Sequence, residues 1–330
     1  MNYARFKIAV VIPAFRVEKE IQAVLSGIPG FVRRIIVVDD ASPDSSADLV
    51  TTAAKRDKRI TLIRHAKNQG VGGAVVTGFK KALEYECEIV VKVDGDGQMD
   101  PKHIPDLIAP LIAGEADYTK GNRFRDFNSL GQMPFIRRIG NLGLSFLSKA
   151  ATGYWNIFDP TNGYFAIRAD VLAQLPLDKL DQGYFFETSM LSRLYLLSAC
   201  VQDVTIPAKY GNESSSLSIR RALFEFPFKL TRTLLRRLVL KYFIFDFSMM
   251  SIYLMTGIPL LLFGLIFGSI KWIQYASLGI AAPTGTVILP TLSVILAIQI
   301  LLSAVEIDLN AAPRKAICKP LGAGASHQTL

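Results

Sequence analysis

A chain of 330 residues, half of them hydrophobic and of positive mean hydropathy, can form one sizeable domain plus an appendage and is too apolar for a purely soluble enzyme. A formal charge of +9 suggests nucleic acid, but its densest basic run, Arg220, Arg221, Lys229, Arg232, Arg236, Arg237 and Lys241, stands directly before the most apolar region. That placement points to anionic lipid headgroups, and nucleic acid is excluded as a partner.

The opening run MNYARFKIAVVIPAF breaks at Pro13, too early for a secretory signal, and Lys7 to Ile12 reads as a buried parallel strand. Glu18 to Ile28 has helical spacing, Arg34 to Val38 is a second strand closing on Asp39-Asp40, and Ser46 to Lys55 is a helix. A third strand at Ile60 to Ile63, a helix from Gly72 to Tyr85 and a fourth strand at Glu88 to Val93 follow, the last ending at Asp94. This alternation predicts an α/β fold with a doubly wound, mainly parallel sheet. Ligands of such sheets sit beyond the carboxyl ends of the strands, where Pro13 to Phe15, Asp39-Asp40 and Asp94 to Gln98 all fall. Between about 124 and 220 the pattern is less regular, with helices predicted at 138–150 and 186–199.

Beyond it, the basic stretch 219–243 alternates cations with Leu223, Phe226, Leu230, Leu234 and Leu238, as helices lying in a membrane interface do. Ser248 to Ile270 and Thr286 to Val305 are uncharged and long enough to span a hydrocarbon core. Only Lys271 lies between them, whereas Arg314, Lys315 and Lys319 follow, so the positive-inside rule puts the catalytic domain and both termini in the cytoplasm of a multi-pass inner-membrane protein. The expected domains are 1–218 (catalytic), 219–243 (interface helices), 244–309 (two spans) and 310–330 (tail). Cys87, Cys200 and Cys318 are too scattered for a metal site and read as reduced thiols.

The strongest chemical signal is Asp94-Gly95-Asp96-Gly97-Gln98. Two carboxylates one residue apart at a strand end, with an amide oxygen two further on, can converge on one hard divalent cation that keeps substrate phosphates as additional ligands; the bland reading is an Asp/Gly turn. Asp40 can accept a base or ribose hydrogen bond, or cap the next turn. Asn68 to Gly73 lacks the third glycine of a dinucleotide fingerprint, since Val75 stands there, and reads as a tight loop into a closely packed helix. No phosphate-binding P-loop occurs, so dehydrogenase and P-loop chemistry are excluded.

In this order VVIPAF (10–15), VVDDASPDSS (37–46), NQGVGGAVVTGFKKAL (68–83), VKVDGDGQMDP (91–101), GNRF (121–124) and DPTNGYFAIR (159–168) resemble glycosyltransferase family 2 with its GT-A fold. The nearest branch is that of dolichol-phosphate mannose synthases and bacterial polyprenyl-phosphate glycosyltransferases. The resemblance implies that Pro13, Phe15 and Asp40 hold the nucleoside, that Asp94 lies near ribose and metal, and that Asp96 and Gln98 are ligands of Mg²⁺ or Mn²⁺. It implies that Arg123 contacts phosphate and that Asp159 ends near the acceptor phosphate, where an Asp-Pro turn is the alternative. The donor would be a UDP- or GDP-linked sugar and the acceptor an undecaprenyl or dolichyl phosphate; self-association is also suggested. Two departures stand out. Val17 replaces a common glutamate, with Glu18 displaced by one, and a late R-x-x-G-x-S-K pattern reads Lys209 to Ser215, leaving Lys209 as a point charge without a bidentate fork.

An ionised lipid phosphate needs little help from a base, its second pKa being about 6 by analogy with phosphoamino acids. The expected reaction is one in-line displacement with inversion, the leaving diphosphate stabilised by metal, Arg123 and Lys209. A processive polysaccharide synthase is the alternative enzyme, but Q-x-x-R-W is absent, the only tryptophans are Trp155 and Trp272, and two spans are few for a polymer channel. A non-catalytic membrane module that binds nucleotide-sugars is the alternative outside catalysis.

Overall fold

The structure, a computed structural model, describes residues 2–122, 135–160, 162–207 and 219–322. It divides into two units, one running to Leu234 and resuming at Pro313, the other comprising Leu235–Ala312.

The first unit is built on seven strands: β1 (Ile8–Ala14), β2 (Arg34–Asp39), β3 (Ile60–Arg64), β4 (Ile89–Lys92), β5 (Tyr118–Asn122), β6 (Phe165–Arg168) and β7 (Val201–Thr205). Their order is β3-β2-β1-β4-β6-β5-β7, parallel throughout except for β6, which runs antiparallel between β4 and β5. The helices are α1 (Ile21–Gly27), α2 (Ser46–Arg56), α3 (Gly70–Glu84), α4 (Ile104–Ala113), α5 (Phe135–Thr152), α6 (Ala169–Leu172), α7 (Phe186–Leu196) and α8 (Ile219–Val239). Side chains of a strand alternate between faces, and β1 uses both. Ile8, Val10 and Ile12 meet Ile21, Val24, Val50, Leu107 and Leu111 of α1, α2 and α4. Ala9 and Val11 meet Val75, Phe79, Phe186 and Met190 of α3 and α7. Of the predicted Asn68–Gly73 loop only Asn68 and Gln69 precede α3, which already begins at Gly70 and packs closely, Gly72 donating its N–H to the Gln182 carbonyl at 2.8 Å.

Residues 317–321, within the predicted tail, bond to the rest of the first unit. The buried Asp117 carboxylate accepts from the N–H groups of Cys200 (2.8 Å), Ile317 (2.9 Å) and Cys318 (2.9 Å). Arg168 donates to the carbonyls of Leu111 (3.2 Å) and Lys319 (2.9 Å), and the Leu321 N–H to that of Ile112. Leu230 of α8 packs against Ala151 and Phe185, and Lys229 pairs with Asp181 at 2.7 Å.

The second unit contains α9 (Met249–Leu278) and α10 (Thr284–Asn310), both long and apolar enough to cross a membrane and each running past the C-terminal end of its predicted span. Only 22% of the most apolar window of each is buried, where a core helix of a soluble protein would be mostly covered. Ser248 and Ser251 close a reciprocal cap at the start of α9. Gly257 and Gly264 let α10 approach closely, beside Leu301 and Val294. Arg237 makes a two-pronged bond to Asp308 at 2.7 and 2.8 Å, and the Tyr242 hydroxyl donates to the same carboxylate at 2.7 Å, all buried. Arg237 therefore holds this unit together instead of facing headgroups, whereas Arg232 and Arg236 are exposed.

Candidate active site

Strand order reverses at β1, with β2 and β3 on one side and β4 on the other, and ligands of open α/β sheets bind at such a switch point. Three predicted segments end there. A Cβ on Gly95 would stand 3.2 Å from the Pro13 carbonyl, so the loop after β4 lies against the end of β1. Pro13 is buried, and Phe15 is 42% exposed with the Arg16 guanidinium 5.2 Å from its ring centre. The turn after β2 pins this loop: Ser42 accepts from the Arg16 N–H, Ser46 from Val17 and Asp44 from Glu18, while Glu18 accepts from Ser45. The displaced glutamate is thus engaged in local structure.

Asp40, at the end of β2, is held by internal partners. Its carboxylate meets His65 Nδ1 at 2.7 Å and accepts the N–H groups of Gln69 and Gly70, both at 2.8 Å, and His65 reaches on to Thr77. With both oxygens engaged and 3% of the residue exposed, Asp40 fastens the entry to α3. Its neighbour Asp39 differs. Its Oδ1 is buried with no hydrogen-bond partner among the described residues, and Oδ2 has Arg64 at 3.8 Å. A buried acceptor left open invites a donor from a ligand.

Asp94 and Asp96 are partly exposed and Gln98 is exposed. Asp96 accepts the Gln98 N–H at 3.0 Å, a local turn bond, and the Asp94 N–H points to Met99 Sδ. Among the described residues no three His, Cys, Asp or Glu side chains gather into a cage. What is present, two carboxylates and an amide oxygen, fits a hard cation that takes its remaining ligands from a phosphate-bearing substrate. Asp159 is 1% exposed, below the surface, with its charge set against Lys120. Arg123 and Lys209 lie outside the described residues.

Three charged side chains beside this site escape a sequence reading. Lys92, 1% exposed, pairs with Asp94 Oδ1 at 2.6 Å and lies 3.7 Å from Glu187 of α7. Burial alone would pull its ammonium pKa down, but Asp94 and Glu187 outweigh this and hold it above the ordinary value. Lys120 is fully buried and donates to the Asn162 carbonyl; burial pushes its pKa down to about 8 against the pull of Glu187 and Asp159. Lys92 and Lys120 both pair in register with Phe165, so they stand abreast on one face of the sheet. A lysine inside an apolar strand such as EIVVKV was the signal available, because buried lysine needs a partner.

Residues 9–175 match the family model described as glycosyl transferase family 2. An uncharacterized protein of Methanocaldococcus jannaschii is 38% identical over 212 residues, 64% of this chain and 84% of its own. The UDP-N-acetylglucosamine–dolichyl-phosphate N-acetylglucosaminyltransferase of Methanococcus voltae is 33% identical over 51% of this chain and 72% of its own. The undecaprenyl-phosphate mannosyltransferase of Micrococcus luteus is 32% identical, over 52% and 70%. Among solved structures, glucosyl-3-phosphoglycerate synthase of Mycobacterium tuberculosis, in complex with Mn²⁺, UDP-glucose and phosphoglyceric acid, superposes with a TM-score of 0.54 at 21% identity, covering 72% of this chain and 81% of that one. At that identity the likeness speaks for the fold.

Proposed function

Because the chain belongs to glycosyl transferase family 2, and is a glycosyltransferase, we propose that it transfers a sugar from a nucleotide-sugar to a polyprenyl phosphate at a membrane surface. The observation that carries this reading is the oxygen-donor cluster Asp94, Asp96 and Gln98 at the switch point of a chain that also holds two helices of membrane length. Relatives named for dolichyl and undecaprenyl phosphate support the acceptor class.

In this reading Phe15 offers an exposed ring and Asp39 an open buried oxygen to the nucleoside. Asp94, Asp96 and Gln98 would hold Mg²⁺ or Mn²⁺, which supplies Lewis-acid stabilisation of the leaving nucleoside diphosphate. Arg123 and Lys209 are proposed to add positive charge to the phosphates. The acceptor phosphate attacks the anomeric carbon in line and needs no strong base, so inversion is the expected outcome. Exposed Arg232 and Arg236 of α8 suit an anionic surface, and α9 and α10 are proposed to span the inner membrane from a cytoplasmic catalytic domain.

The test is release of nucleoside diphosphate by the full-length protein in detergent, across a panel of UDP- and GDP-sugars with undecaprenyl phosphate. Release is expected to need both a divalent cation and the lipid phosphate. Full-rate glycosylation of a soluble sugar or protein, with lipid phosphate ignored, would overturn the acceptor assignment.

A further inference from the structure

Two carboxylates one residue apart repel each other, and something must hold them in place before a cation arrives. The structure contains a built answer in Lys92. Its ammonium takes Asp94 Oδ1 at 2.6 Å, inside the domain, and Glu187 Oε1 stands 3.7 Å from the same ammonium. The segment before β6 is shaped around this pair. A Cβ on Gly163 would collide with the Lys92 ammonium and stand 3.1 Å from Asp94 Oδ2. That segment is tied to the Asp94 loop by the Tyr164 hydroxyl, which donates to the Asp100 carbonyl at 3.0 Å. Lys120, alongside, is fixed to the Asn162 carbonyl and adds its charge to the same buried group.

We propose that Lys92 is a positioning residue of the cation site, an internal ammonium shared with Glu187 that fixes one oxygen of Asp94, leaves the second for the cation and offsets the charge of the Asp94–Asp96 pair. The inference rests on the metal-dependent reading above. It makes Lys92 and Glu187 opposing controls on one site. Removing the ammonium leaves the carboxylates more negative; removing the Glu187 charge leaves the ammonium dominant.

The experiment is a titration of Mn²⁺ by electron paramagnetic resonance against the full-length protein in detergent, first without nucleotide and then with UDP, with a thermal melt to score folding. Lys92→Met is expected to bind Mn²⁺ alone roughly tenfold more tightly and Glu187→Gln roughly tenfold more weakly, the scale of one unit charge acting on a divalent ion across a partly solvated site. Gly163→Ala, which displaces the ammonium without removing it, should shift affinity in the direction of Lys92→Met. If Lys92→Met fails to fold, the weakening in Glu187→Gln carries the test alone. Wild-type affinity in the folded variants, or a loss of affinity in both, would show that the pair only supports the fold. A wild-type chain that binds no Mn²⁺, with or without UDP, overturns the metal reading itself and this inference with it.

Discussion

Asp96→Ala is expected to lower transfer about a thousandfold, equivalent to roughly 4 kcal/mol of lost transition-state stabilisation. Asp96 is partly exposed and accepts the Gln98 N–H within a turn. Its removal should therefore cost stability only about 1 kcal/mol, and a thermal melt should sit near that of the wild type. Asp96→Asn separates the two contributions, since an amide oxygen can keep the turn bond while the charge is lost. Both variants should lose Mg²⁺- or Mn²⁺-dependent nucleotide binding along with kcat/KM. Full activity in either, or in wild type under excess chelator, would remove the cation from the mechanism.

Asp308→Ala should be the most damaging single change to the second unit. It removes the partner of a buried guanidinium and the acceptor of the Tyr242 hydroxyl at once. Breaking a buried pair from one side typically costs about 3–5 kcal/mol, because the remaining charge stays buried and uncompensated. Replacing both partners with apolar residues, Arg237→Met with Asp308→Leu, should recover most of that loss. Thermal unfolding of the full chain in detergent measures both. A melt unchanged by Asp308→Ala would mean that the second unit is held by other contacts.

The first half of the sheet is legible in the sequence because its strands are continuous apolar runs. Lys7 to Ile12 appears as Ile8–Ala14 and Glu88 to Val93 as Ile89–Lys92. The second half is not, and the reason is buried charge. β5 carries Lys120 and β7 carries Asp203, so neither reads as a core strand, and the antiparallel insertion of β6 depends on pairing with distant partners. The helices expected at 138–150 and 186–199 are α5, which extends a few residues further at both ends, and α7, which ends three residues earlier. The cluster Asp94, Asp96 and Gln98 could be read because its members are close in sequence; the Lys92–Glu187 contact could not, because three helices and two strands separate them. Adjacent identical residues give the sharpest limit. Asp39 and Asp40 lie on opposite faces at a strand end, and Arg236 and Arg237 differ in burial around a helix, so which of each pair is engaged internally depends on tertiary packing.

The fastening of Ile317, Cys318 and Lys319 to Asp117 and Arg168 has a consequence for parity. A polypeptide that leaves a folded body at Leu234 and is stitched back into it after Pro313 has to return to the side from which it departed. Whatever the loop between those points does in a bilayer, it must traverse it an even number of times, independently of where the positive charges fall. Reporters fused to the two ends of the full-length chain should therefore always agree with each other. One end reporting the cytoplasm and the other the exterior would mean that the stitch does not form in the membrane.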